Sequence, residues 1–441
     1  MPMKFQAPKG TRDFYPAEMA LRRFLEDRWR AISIRHGFEE VDGPIFEPLD
    51  LYKVKSGEGI VGELFHFEDR GGRELAIRPE FTPTLARMVA DRAASLPRPI
   101  KWFSIPNLCR AERPQRGRLR EFWQWNVDVL GSDSAIADAE CIFTCVDLLA
   151  SFGVQPTQLK VKISHREVVR RILARLGVAD EKMLEAFDLL DRREKMMGDA
   201  FRDEAGKLGL DESRVERFEQ MCRRKYAPGD FDHLARSVGI DIDQELADLR
   251  QLDAQLVAFG IGDWCEYDLG IVRGLAYYTG TVFEVHEISG AERAMAGGGR
   301  YDRLIELMGG PSIPAVGFGM GDVVLSLVLG DRGLLPENAL PAVDAFVIAP
   351  DEAAADMVGG VVATLRAAGL HARFSYKTTR NAGKLFKEAD QHQARFAVIL
   401  DGRTVDARVA GVKDMASGDQ GEVPLADLPD YLQNHGGNSR E

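Results

Sequence analysis

The chain has 441 residues, 45% of them hydrophobic, enough for several buried cores and a length that sets the expectation at about three domains. A formal net charge of −12 excludes general attraction to nucleic acid, though not an RNA held by a local basic patch. The apolar run Val323 to Leu329 is far shorter than the roughly 20 residues of a membrane span, the N-terminus lacks a signal-peptide core, and five scattered cysteines without a CxxC pair argue for a reduced, cytoplasmic protein with no protein-ligated metal and no membrane partner.

In chain order, Pro16 opens a helical pattern that Gly37 ends. Phe38 to Tyr52 reads as extended, broken by Pro44 and Pro48. Leu75 to Glu80 reads as a strand. Thr82 and Pro83 then resemble an N-cap and first-turn proline before a helix over Thr84 to Ala94. A second helix is expected over Ala135 to Phe152, with Cys141 and Cys145 on its core face, and Leu159, Val161 and Ile163 alternate as a strand. From about residue 165 to 260 charged helical segments such as EKMLEAFDLLDRREKMM predict a helical insertion. Strand signals resume at Glu266 and in Thr281, Phe283 and Val285. Gly297 to Arg300 reads as a glycine cluster leading into a helix over Tyr301 to Met308. Gly330 to Pro341 is a linker by composition. Beyond it, strands at Ala345 to Ile348, Ala372 to Ser375 and Ala397 to Leu400 alternate with helices, which predicts a small parallel α/β domain.

The densest chemistry lies in Phe103 to Leu130. Five arginines (Arg110, Arg113, Arg116, Arg118, Arg120) fall within eleven residues around Pro114 and Gly117. The flanks read as strands, so an arginine-tipped hairpin stands against an acidic background. Arginine suits a planar, two-pronged grip on phosphate. A solvated turn is the bland alternative, but Glu112, Phe122, Trp123, Gln124, Trp125 and Asp128 add hydrogen-bonding and aromatic groups that such a turn does not need. A second block, Asp268 to Glu284, sets Arg273 beside Gly274 and pairs Tyr277 with Tyr278. A third, Arg78 to Thr82, offers Glu80 to an ammonium group. Gly57, Gly59 and Gly62 form GxGxxG but lack the preceding strand and following helix of a dinucleotide site. Gly317, Gly319 and Gly321 lack the lysine of a phosphate loop. No nucleophile–base set emerges, and arginines with glycines and hydrogen-bonding groups fit catalysis by positioning and charge stabilisation, as in adenylyl transfer.

These blocks resemble the histidyl-tRNA synthetases, which are class II aminoacyl-tRNA synthetases, along nearly the whole chain. KGTRDFYP is similar to the family's N-terminal signature, GFEEVDGPIFEPLDLYKVKSGE to motif 1, CRAERPQRGRLREFWQ to motif 2, and RGLAYYTGTVFE and AGGGRYDRL to the histidine-specific blocks. The resemblance implies an α/β multidomain fold: a class II catalytic domain over residues 1–330, with a seven-stranded-type antiparallel sheet and the helical insertion at about 165–260, a linker over 331–341, and an α/β anticodon-binding domain over 342–441. It implies activation of L-histidine by ATP, with Mg2+, and transfer to the 3′ end of tRNA(His), by a cytoplasmic homodimer. Carried over residue by residue, Arg110 and Arg273 would be catalytic. Glu80, Phe81, Thr82, Arg110, Gln124, Asp128, Arg273, Tyr277 and Tyr278 would bind histidine. Arg110, Glu112, Arg118 and Phe122 would bind ATP. Candidates for tRNA contact are Arg113, Gln115 and Arg116 at the hairpin tip, toward the acceptor end, and Lys377, Arg380, Lys384 and Lys387 in the C-terminal domain, for each of which a solvated helix face is the alternative.

Two departures stand out. Val324 occupies the place of the arginine with which motif 3 usually packs on ATP, so that either Arg300, Arg303 or another group substitutes or ATP is bound more loosely at that end, and Ala276 replaces a frequent acidic residue. The rival readings are a non-catalytic histidine-sensing paralogue that regulates histidine biosynthesis, an RNA-binding accessory protein, and a synthetase for another amino acid, against which Asp128 and the tyrosine pair speak. The first should lack the RGLAYYTG block and the C-terminal domain, and both are present here; the complete motif 2 speaks against the second.

Overall fold

The structure is a computed structural model that describes residues 4–56, 58–193, 196, 199–238, 243–272, 277–290, 292–377 and 379–435. Its contacts divide the chain into two units, Met1–Asn338 and Ala339–Glu441.

The strands of the first unit are β1 (Glu39–Glu40), β2 (Phe46–Pro48), β3 (His66–Glu68), β4 (Glu74–Ile77), β5 (Ile100–Ser104), β6 (Asn107–Cys109), β7 (Glu121–Leu130), β8 (Leu159–His165), β9 (Cys265–Tyr267), β10 (Thr281–Glu287), β11 (Ala296–Arg300) and β12 (Ala315–Gly321). Six of them pair antiparallel in the order β5-β7-β12-β11-β10-β8, which is the antiparallel sheet that the resemblance implies. Among the described residues β1 adds to β5 and β9 to β8, both in parallel, so the expected antiparallel sheet carries two parallel edge pairings. Strands β2, β4 and β3 form a separate small sheet.

One strand explains why this sheet carries a site. Side chains alternate across a strand, and in β7 Trp125, Val127 and Val129 point into the main apolar core while Gln124, Asn126 and Asp128 face the other way. The core side is covered by helices α1 (Pro16–Arg35) and, further along the chain, Ala135–Ser151. Trp125 stacks on Trp29 at 6.3 Å between ring centroids, and its indole N–H donates to Ser33 Oγ at 2.8 Å, so the largest side chain of the face is buried without an orphaned donor. Cys141 and Cys145, one turn apart, lie fully in this core, as their spacing suggests. Helices occupy most of the stretch between β8 and β9, from Arg166–Arg175 to Asp243–Ala258.

Three local expectations are corrected. Strand β4 ends at Ile77, so Glu80 sits in the bend that follows rather than on a strand. The helix after it, α2 (Thr82–Arg92), takes Thr82 as its first residue; Phe81 is the flanking residue and no side chain caps it. Gly297 to Arg300 belongs to a strand, because neighbouring backbone leaves no room for anything larger: a Cβ on Gly298 would lie 2.2 Å from the carbonyl oxygen of Gly317, and one on Gly299 2.6 Å from that of Thr281. The following helix is confined to Leu304–Leu307.

The second unit holds β13 (Val343–Ile348), β14 (Ala372–Phe374), β15 (Ala394–Ile399), β16 (Val409–Asp414) and β17 (Gln420–Pro424) in the order β14-β13-β15-β16-β17. The first three are parallel and the last two antiparallel. The expected parallel sheet is therefore mixed. β17 is an exposed edge strand that buries only Val423, so it carries little of the apolar alternation by which strands are recognised. In the stretch read as a linker, Leu334 and Leu335 pack against the core of the first unit.

Candidate active site

The arginine hairpin is built from β6, β7 and the turn between them. Its tip is closed by two backbone hydrogen bonds of 2.9 Å between Gln115 and Arg118, with Gly117 at φ +72°, a conformation that favours glycine. The N-terminal signature latches onto the base of the hairpin. Arg120 N–H donates to the Gly10 carbonyl at 2.8 Å, and Arg12 donates to Asp322 at 2.6 Å, whose other oxygen accepts from the backbone N–H of Trp123 at 3.0 Å. The KGTRDF segment thus serves the architecture of the site by holding motif 2 in place.

Behind the hairpin lies a small chamber of about 70 Å³, lined by Glu80, Thr82, Arg110, Gln124, Asn126, Asp128, Tyr277, Tyr278 and Tyr301. Its floor is bare main chain. Gly317 lies across from Asp128 and Gly319 from Asn126, and Gly297 of β11 adjoins them. The glycines are required there. A Cβ on Gly317 would sit 2.0 Å from Asp128 Oδ1, and one on Gly319 2.7 Å from Gln124 Cδ. Asp128 is buried and accepts a 2.5 Å hydrogen bond from the Tyr301 hydroxyl. Tyr277 packs on Tyr278 at 4.7 Å and edge-on to Tyr301 at 5.8 Å, completing an aromatic wall.

Burial pushes the Asp128 carboxyl up to about 7, against the opposing hydrogen bond from Tyr301. In the unfolded chain an aspartate titrates near 3.9. Between about pH 4 and pH 7 the folded protein therefore keeps a proton that the unfolded chain has lost, and Asp128 makes stability fall as pH rises through that window. Asp128→Asn should remove this dependence. Thermal unfolding at pH 5.5 and pH 8 should show the wild type losing stability relative to the variant at the higher pH, and parallel pH profiles would refute the assignment.

Next to the chamber opens a larger cleft of about 540 Å³, lined by Glu63, Arg110, Glu112, Arg118, Phe122, Glu284, Arg293 and Val324 among others. Glu80, Arg110, Gln124, Gly297 and Gly319 line both spaces. Arg110 stands at their junction. Its Nε donates to the Pro79 carbonyl at 3.0 Å and its guanidinium packs over the Phe122 ring at 4.9 Å. Arg118 pairs with Glu112. The cleft therefore joins fixed cations to an aromatic face.

The remaining sequence candidates fall as follows. Arg273 lies outside the described residues. The Phe81 ring is buried among Leu85, Val89, Tyr277 and Tyr278, behind the chamber wall rather than in it. Arg113 and Gln115 are exposed at the hairpin tip. Arg116 is already bound to Glu292 at 2.6 Å and Asp331 at 3.4 Å. In the second unit Lys377 pairs with Glu388 at 3.0 Å and Arg380 with Glu352, while Lys384 and Lys387 are exposed on the helix Ala382–Gln391. Neither arginine considered as a substitute at position 324 reaches the cleft. Arg300 is buried against Asp138 and Asp302, and Arg303 is not among the lining residues. Sequence reasoning missed Asn126, Tyr301 and Arg293. Asn126 follows from the two-residue period between Gln124 and Asp128, whereas Arg293 sits in a loop with no periodic signal.

The match to known proteins covers both units. Residues 10–321 match the family model described as histidyl-tRNA synthetase, and residues 344–435 match that of an anticodon-binding domain. A histidine–tRNA ligase of Opitutus terrae is 39% identical over 95% of this chain and 96% of its own length. The chloroplastic/mitochondrial histidine–tRNA ligase of Arabidopsis thaliana is 38% identical over 96% of this chain and 85% of its own. The crystal structure of histidyl-tRNA synthetase from Nostoc sp. PCC 7120 superposes with a TM-score of 0.81 at 25% identity, covering 98% of this chain and 100% of that one. With its class II sheet, its arginine-lined cleft and full-length relatives of one kind, the chain belongs to the histidyl-tRNA synthetase family.

Proposed function

We propose that the joined chamber and cleft are where this ATP-dependent histidine–tRNA ligase forms histidyl-adenylate, with histidine in the chamber and ATP in the cleft. The observation that supports this most is the position of Arg110 on the boundary, where a substrate carboxylate from one side would meet an α-phosphate from the other. A histidine carboxylate oxygen attacks the α-phosphorus and pyrophosphate leaves; the terminal ribose hydroxyl of tRNA(His) then takes the histidyl group and AMP leaves. Fixed guanidinium donors stabilise the charge that builds on the phosphoryl oxygens. Arg110 supplies this from motif 2, and Arg273 is assigned the same role by resemblance. Glu80 and Thr82 bind the α-amino group. Gln124, Asp128 and Tyr278 surround the imidazole, with Tyr277 beside them. Phe122 stacks on adenine, Glu112 reads its edge and Arg118 meets the outer phosphates, so binding ATP separates the Glu112–Arg118 pair. ATP would enter as its Mg2+ complex, with the ion carried on the phosphates; among the described residues no group of three or more acidic, histidine or cysteine side chains could hold it.

Residues 1–330 act as the catalytic domain with an insertion at about 165–260, residues 331–341 link it to 342–441, and the latter binds the anticodon region. We infer a homodimer through motif 1, supported by the exposed Ile45 and Phe46, the latter edge-on to exposed Phe67 at 6.1 Å. A cytoplasmic setting agrees with the five free cysteines, four of them buried; no described helix is long and apolar enough to cross a membrane. ATP–pyrophosphate exchange measured with each amino acid in turn tests the reading. Histidine alone should stimulate it, and exchange stimulated by no amino acid would return the chain to the non-catalytic paralogue.

Tyr376, 86% exposed beside Lys377 and packed on Phe374 at 4.5 Å, offers an RNA base an aromatic face. Tyr376→Ala should raise KM for tRNA(His) roughly 5- to 100-fold and leave histidine-dependent exchange unchanged. An unaltered tRNA KM would remove this contact.

A further inference from the structure

Arg293, in the loop between β10 and β11, stands on the wall of the ATP cleft beside the hairpin. Three guanidinium groups line that space, and two already have partners: Arg110 on the Pro79 carbonyl and Arg118 on Glu112. Its chain neighbour Glu292 is taken by Arg116. Among the described residues Arg293 forms no ion pair. The surroundings do not compensate it fully. Desolvation against the cleft wall and repulsion from Arg118 lower its proton affinity, with Arg110 adding to the effect and Glu112 and Glu284 opposing it. The cleft as a whole is lined by six carboxylates against three guanidinium groups, so its basic ground is local: the neighbouring guanidiniums of Arg118 and Arg293 suit an anion of more than one charge.

The position is also informative. A Cβ placed on Gly117, at the hairpin tip, would lie 3.4 Å from Val324 Cγ2, 3.7 Å from Glu292 Oε2, which Arg116 neutralises, and 4.0 Å from Arg293 Cδ. Val324 and Arg293 therefore flank one point beneath the turn. Val324 is short and apolar and offers no charge there. Arg293 comes to the same spot from a different strand pair, and its side chain is long enough to extend into the cleft. Arg118, placed on the outer phosphates by the proposed function, is its nearest cationic neighbour by effect.

We propose that Arg293 grips the outer phosphates of ATP, replacing from the β10–β11 loop the cation that position 324 lacks. The inference rests on ATP occupying this cleft, as proposed above. A planar fork on two phosphate oxygens gives the geometry that a lysine cannot reproduce.

The test is calorimetric binding of ATP with Mg2+, and separately of AMP, to the wild type, Arg293→Ala, Arg293→Lys and the double variant R293A/V324R. Charge-assisted hydrogen bonds of this kind correspond to roughly 10- to 100-fold in affinity. Arg293→Ala should weaken ATP by that factor and leave AMP, which lacks the outer phosphates, within about twofold. Arg293→Lys should fall between, and the double variant should regain part of the loss; should the double variant not fold, the lysine series decides alone. The KM for ATP in exchange should rise while that for histidine stays put. Equal affinity of wild type and Arg293→Ala for ATP overturns the proposal, and so does an equal loss for ATP and AMP, which would place the side chain on the nucleoside. Failure of the wild type itself to bind ATP would instead sink the cleft assignment beneath it.

Discussion

Gly317→Ala should cut kcat/KM for histidine at least about 100-fold, the loss that goes with an ångström-scale displacement in a positioned site. The added methyl would fall 2.0 Å from Asp128 Oδ1 and 2.7 Å from the Val127 carbonyl oxygen. The first contact drives the carboxylate off its hydrogen bond with Tyr301; the second is backbone of the adjacent strand and cannot yield cheaply. Gly321→Ala is the control. Gly321 already has φ −83° and ψ 143°, which alanine adopts freely, and its nearest neighbour would be Phe122 Cδ2 at 4.0 Å. Gly321 lines the ATP cleft and not the chamber, so that variant should keep its KM for histidine within about twofold of the wild type. Amino-acid-dependent pyrophosphate exchange separates the two, and similar activities for both would show that the floor tolerates a side chain.

Arg110→Ala should lower the rate of adenylate formation about 100- to 1,000-fold, the usual cost of removing a donor aimed at developing charge. Stability should suffer far less. The Pro79 carbonyl loses one hydrogen bond, worth about 1 kcal/mol, and Phe122 loses a cation over its ring. Arg110→Lys should not restore the rate, because an ammonium cannot bridge a carboxylate and a phosphate with one rigid fork. Single-turnover formation of histidyl-adenylate gives the rate directly. A variant that differs from the wild type only in KM would make Arg110 a binding residue and nothing more.

Much of this was legible because the chemistry is carried by residue types that stand out. Arginines in an acidic chain mark the hairpin, and the alternation through β7 separates its core face from Gln124 and Asp128. What escaped was set by tertiary context. Gly297 to Arg300 looks like a turn because glycine is the usual turn residue, yet the strands on either side demand it. Thr82 has the identity of a cap but enters the helix. The Gly317, Gly319, Gly321 series, set aside as a failed phosphate loop, is the floor of the chamber and the strip beside it, a role that appears only when β12 is laid against β7. Tyr301 stands in a recognised block, but only the fold puts its hydroxyl on Asp128. Arg293 has no sequence signal at all: an isolated arginine in a loop gains meaning from the two others it faces. The parallel edge pairings β1–β5 and β8–β9 join very short strands to the sheet from far along the chain, and no local pattern announces them.

A recess floored by main chain has consequences for anyone redesigning this enzyme. Widening a pocket ordinarily means trimming a side chain, and along Gly297, Gly317 and Gly319 there is none to trim. Room for bulkier azole or pyridyl analogues has to come from the surrounding side chains, by shortening Gln124 or Tyr278, both of which also carry polar recognition. Selectivity and capacity are thus tied to the same few atoms, and enlarging one erodes the other.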